Sequence, residues 1–129
     1  MRETTLSGIV PAASRQAAPT LQGFAAAAIE SEGVYLASLA AITQLEVRTR
    51  NSVYKLTMLG DGRVLVLGGA FFPVWTEAHL AGSTLGGSFL KVGWVGCGFC
   101  MEFLYDGQRI VTTRAREIRK IENAAAKVY

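Results

Sequence analysis

Chemistry-bearing side chains are scarce in this chain. Its 129 residues include one histidine, His79, and two cysteines, Cys97 and Cys100. A lone histidine with no nucleophile or carboxylate at a telling spacing offers no catalytic pair. Glu77, two positions away, does not supply one, because acid–base work needs a spatial partner and a shifted pKa. No catalytic residue is assigned, and the chain reads as non-enzymatic. Charge is thin as well: 18% of residues are charged, and 13 basic against 10 acidic residues leave a net charge of +3. That balance lacks the dense basic patch of a dedicated nucleic-acid binder but leaves room for an anionic partner. Long apolar runs are also missing. The charge-free apolar stretch from Val92 to Met101 is only ten residues long and is interrupted by Gly93, Gly96 and Gly98, whereas a spanning helix needs about 20 apolar residues. Arg2 is followed by Glu3, Thr4, Thr5 and Ser7 rather than by the apolar run of a secretory signal. Two cysteines without an export signal read as reduced thiols in a cytoplasmic protein with no membrane contact.

Half of the residues are hydrophobic, enough for the core of one domain. The chain divides into three textures. Residues 1–41 form an alanine-rich variable segment, loose over 1–18. Within it, Phe24 to Ile29 has high helix propensity, with Thr20 as cap and Gly33 as stop. The short apolar piece Val34 to Ile42 is ambiguous between helix and strand.

Residues 42–114 alternate. Leu45 and Val47 define one apolar phase, and Tyr54, Leu56 and Met58 define another. Arg50-Asn51-Ser52 turns the chain between them, with Asn51 suited to a left-handed conformation. Asp61-Gly62 and Asp106-Gly107 suit two-residue hairpin loops. The first would pair Gly60 with Arg63, Met58 with Leu65 and Leu56 with Leu67. The second would pair Tyr105 with Gln108, Phe103 with Ile110 and Met101 with Thr112. Thr76 to Leu80 reads as a single helical turn, Gly82 to Ser88 as a flexible loop, and Leu90-Val92-Trp94 as a strand. The fold class is mainly β, a small barrel or curled two-layer sheet of about six short strands. Residues 115–129 read as an amphipathic C-terminal helix, because Ile118, Ile121, Ala125 and Val128 recur every three or four positions.

Thr49-Arg50-Asn51-Ser52-Val53-Tyr54, Gly68-Gly69-Ala70-Phe71-Phe72-Pro73 and the Gly82 to Gly96 run resemble an uncharacterised family of small bacterial β-domains, over residues 45–113. The resemblance implies that the β segment is the unit and that the ends vary. It implies no catalytic or binding residue.

Cys97-Gly98-Phe99-Cys100 could form a redox pair or half of a zinc site with His79. A redox cysteine wants a helix N-terminus, however, and a strand follows here; a structural zinc wants four ligands. No metal and no cofactor are assigned. Ser83, Thr84, Gly86 and Gly87, followed by Lys91, have the composition of a phosphate cradle. Ser88 nevertheless stands where a phosphate-loop lysine should be. Arg48 and Arg50, near Lys55 and Tyr54, could hold an anionic ligand or a nucleic-acid strand. The arginine spacing of a cyclic-dinucleotide-binding barrel of the PilZ type is not met. Phe71, Phe72 and Trp75, together with the Ile118, Ile121, Ala125 and Val128 stripe, exceed what a small β core readily covers. The Phe71 to Trp75 cluster could plug one end of the barrel as core or, if exposed, mark an interface; the excess as a whole is assigned to an interface, and the expected partner is a second copy of the chain.

Overall fold

Thr20 opens the first element. In the computed structural model, described over residues 20–86 and 89–121, its side chain accepts a 2.9 Å hydrogen bond from the Gly23 N–H and starts helix α1, Leu21–Glu30. The helix stops at Ser31, earlier than the expected Gly33. The Ser31 hydroxyl donates to the Ala27 carbonyl at 2.7 Å. Nine strands follow: β1 Gly33–Tyr35, β2 Gln44–Thr49, β3 Val53–Gly60, β4 Arg63–Gly68, β5 Phe72–Thr84, β6 Leu90–Val92, β7 Trp94–Gly96, β8 Cys100–Tyr105 and β9 Gln108–Ile121. The ambiguous 34–42 piece divides between β1 and a 3-10 turn at Leu36–Ser38.

Hydrogen bonds run from β4 through β3, β2, β9 and β8 to β5, and β5 pairs back with β4, which closes a ring. β6 extends the sheet at the far end of β5, and β1 pairs with β7 in a separate two-stranded sheet. The ring depends on two long strands that change partners. β5 pairs with β4 over its first part and with β8 from His79 onward. β9 pairs with β8 up to Arg114 and with β2 from Ala115 onward.

Both Asp-Gly pairs turn as expected, with positive φ at Asp61, Gly62, Asp106 and Gly107, the type that matches the twist of paired strands. Gly60 pairs with Arg63, but a bulge then shifts the register, so that Met58 faces Val64 and Leu56 faces Val66. In the second hairpin the Tyr105–Gln108 and Phe103–Ile110 pairs form, and a shift between Cys100 and Glu102 removes the expected Met101–Thr112 pair. The Thr112 hydroxyl accepts from the Met101 N–H at 3.0 Å instead. Asn51 does not take positive φ. Thr49 closes that turn, its N–H donating to the Ser52 carbonyl at 2.8 Å.

Three expectations are overturned. Thr76 to Leu80 is part of β5, not a helical turn, because β4 and then β8 supply strand partners along its length. Gly82 to Thr84 belongs to the same strand rather than to a loop. The expected C-terminal helix is absent through Ile121: Ile118 pairs with Val47 and Ile121 with Gln44. The three-residue spacing of Ile118 and Ile121 lies in a stretch of unbroken strand register with β2, so pairing with β2 and not the apolar spacing decides the conformation. Two β-bulges upstream give the inward residues Thr112, Ala115 and Ile118 a similar spacing of three within a strand. Ala125, Val128 and residues 1–19 lie outside the described residues.

The ring encloses the main core, in which Val47, Leu56, Val64, Val66, Phe72, Met101 and Phe103 are fully buried or nearly so. A second cluster joins α1 to β7: Phe24 and Ala28 pack with Trp94 and Phe99. The Phe99 ring meets Phe24 edge-on at 5.5 Å and Trp94 at 5.2 Å. Gly33 and Gly96 are register partners, and a Cβ at either would run into the Trp94 ring. Glycine at both positions lets the two backbones close over the indole.

Candidate functional site

β5 and β4 make the most conspicuous surface feature. Between the Val66–Thr76 and Gly68–Phe72 pairs, β5 carries extra residues opposite Leu67, and the register breaks. A bulge re-aims side chains, and here it turns Val74 and Trp75 outward together. Val74 is 65% exposed and Trp75 45%, and Phe71 in the preceding turn is 60% exposed. The β8 partner begins only at His79, so this part of β5 has β4 alone as a hydrogen-bonding neighbour. Phe72, grouped with these residues in the sequence, is instead fully buried. Its ring meets Tyr105 at 6.0 Å, which sets that half-exposed aromatic beside the bulge. Ile118 is partly buried against the chain's own core.

The residues read as a phosphate cradle do not form one. Ser83 is fully buried; its hydroxyl donates to the Trp94 carbonyl at 2.8 Å and accepts from the Gly96 N–H at 3.3 Å. Thr84 is buried too, and its hydroxyl has no hydrogen-bond partner. Gly86 ends the described part of the loop with positive φ, and Gly87 lies outside the described residues. Lys91 sits over aromatic rings, its Nζ 5.2 Å from the centroid of Tyr35 and 5.4 Å from that of Trp94.

Arg48 and Arg50 also part company. Arg48 faces its register partner Glu117 at 3.5 Å. Arg50 reaches a groove of about 600 Å³ with Arg114, Arg116, Thr112, Thr113 and Cys100. Sequence reasoning did not pick out Arg114 and Arg116. The available signal was the basic run Thr112-Thr113-Arg114-Ala115-Arg116.

His79 and the two cysteines do not come together. Among the described residues no three of His, Cys, Asp or Glu are grouped to hold a metal ion. His79 lies against Gly62, in the wall of a cavity of about 510 Å³ shared with Tyr35, Met58, Asp61 and Arg63. Cys97 lies near Glu32 and Ile118, in another recess. Burial pushes the Cys97 thiol up, and the carboxylates of Glu32 and Glu117 push it further, against a backbone hydrogen bond at Ile118. Burial raises Cys100 as well, partly offset by Arg114. A redox-active thiol needs the opposite shift.

Among the described residues no helix is long and apolar enough to cross a membrane. No family model, curated protein or solved structure matches the chain.

Proposed function

We propose that this chain is a non-enzymatic interaction module, a small β-barrel that associates with copies of itself through the β5 bulge. The observation that carries this reading is the outward display of Phe71 from the turn before β5 and of Val74 and Trp75 from its first part, which among the described residues has β4 alone as a hydrogen-bonding neighbour. Clustered exposed apolar side chains mark interaction surfaces, and tryptophan is among the residues that most often dominate them. A patch of this kind suits a two-fold contact, in which the same surface meets its own copy.

Light scattering tests the reading. The wild-type protein should have a mass above that of one chain. Val74→Glu with Trp75→Glu should lower it to one chain, with the β-sheet circular dichroism unchanged, since both side chains are exposed and outside the core. A wild-type chain that is monomeric at every concentration measured overturns self-association.

A further inference from the structure

The arginines of the described residues fall into two groups. Arg48, Arg63, Arg109 and Arg119 each face a glutamate, at 3.5, 3.2, 2.9 and 3.1 Å. Among the described residues, Arg50, Arg114 and Arg116 make no ion pair, all three meet in the 600 Å³ groove, and no carboxylate lines it. From these observations we propose that the groove is a binding site for a small phosphate-bearing anion.

The site arises from the fold at one place. β9 leaves β8 at Arg114 and joins β2 at Ala115, and each pairing is bulged beside the switch. Arg116 is the extra residue of the second bulge, between the Thr49–Ala115 and Arg48–Glu117 pairs. The bulges interrupt alternation, so Thr113 and Arg114 are both exposed, as are Arg116 and Glu117. Arg50 comes in from the β2–β3 turn. Small residues, Gly98 and Ala115, line the groove with them.

Like charges brought together repel, and among the described residues no carboxylate pairs with these three, whereas Arg48, Arg63, Arg109 and Arg119 are each matched across the sheet. A bound polyanion would supply the missing charge. Guanidinium groups donate paired, planar hydrogen bonds that fit phosphate oxygens, and the Thr113 hydroxyl adds a further donor. The groove is of the size that holds a small molecule. Among the described residues no aromatic side chain lines it, so they offer no stacking platform of the kind single-stranded nucleic acid uses.

The probes are inorganic pyrophosphate and an oligothymidylate, titrated by calorimetry at low ionic strength. The expected result is saturable binding of one pyrophosphate per chain. Arg50→Ala or Arg114→Ala should each weaken it by about tenfold, the loss of one charge-assisted contact. Arg63→Ala, which removes an arginine paired elsewhere, should leave it unchanged. Amide shifts at Thr113 to Arg116 would place the ligand by nuclear magnetic resonance. Arg50 lies in a turn, so its variant keeps the test in force should a β9 variant misfold. Absence of saturable binding overturns the proposal, as does equal weakening by Arg63→Ala. Oligothymidylate binding tighter than pyrophosphate also overturns it, and would make the groove a nucleic-acid contact.

Discussion

Thr84 shows how much a single buried group can matter here. Its hydroxyl is desolvated between the Cys100 and Leu90 pairings of β5 and has no hydrogen-bond partner. An unmade buried hydrogen bond carries a desolvation cost with no return, so an isosteric apolar replacement should help. Thr84→Val is expected to raise unfolding stability by about 1 kcal/mol in denaturant titrations. Ser83 is the contrast within the same strand. Its hydroxyl bonds both Trp94 and Gly96, and Ser83→Val should destabilise the protein. The two residues look alike in sequence, as neighbours in a glycine-rich run. Which one is satisfied depends on where β7 lies.

At the scale of elements, β9, like β5, holds the ring together by changing partners: it joins the β8 side of the ring to the β2 side. Its seam with β2 is marked by reciprocal charges: Glu46 faces Arg119, and Arg48 faces Glu117. Exposed pairs of this kind contribute little stability, but they favour one antiparallel register over its neighbours. Ile118 then packs against the core from within β9. Ile118→Asp is therefore expected to destabilise the fold itself, by about 2 kcal/mol for the lost apolar burial alone, visible as a lowered melting temperature. A helical tail folded apart from the core would instead leave the melting temperature of the β structure unchanged. The Asp-Gly hairpins were legible in the sequence because turn chemistry is local. The bulges beside them were not, because a bulge is decided by what the partner strand presents.

For the whole molecule, the groups displaced by burial act in one direction. Cys97, Cys100 and Tyr54 all have raised pKa values in the fold, burial being the largest cause for each. The folded state thus holds these protons more tightly than the unfolded state does. By linkage, the contribution is complete below the ordinary values of 9.0 for the thiols and 10.0 for the phenol and is lost as pH rises through the folded values. Unfolding stability should accordingly fall in the alkaline range above the ordinary thiol value and be flat with respect to these groups around neutrality. The Cys97→Ser, Cys100→Ser double variant should show a shallower alkaline fall in a denaturant series across pH. An unchanged slope would mean that the thiols are not protected by the fold. On the same scale, the proposed self-association and the proposed anion binding are assigned to separate surfaces, the β5 bulge and the β9 crossover, so their variants test the two proposals independently.

By itself the amino-acid sequence determined the mainly β class, the helix begun by Thr20, and the two hairpins turned by Asp61-Gly62 and Asp106-Gly107. Each rests on propensity, capping or turn geometry within a few residues. The tertiary structure alone decided that β5 and β9 change partners and close a hydrogen-bonded ring, and that residues 115–121 are strand. It also decided that Phe72 is core while Trp75 is surface. Helical and bulged-strand patterns share the same spacing of apolar residues, and only the presence of β2 alongside β9 selects between them. The convergence of Arg50 with Arg114 and Arg116 follows from that same pairing: the groove exists where a strand leaves one neighbour for another, and a linear pattern of residues does not encode that location.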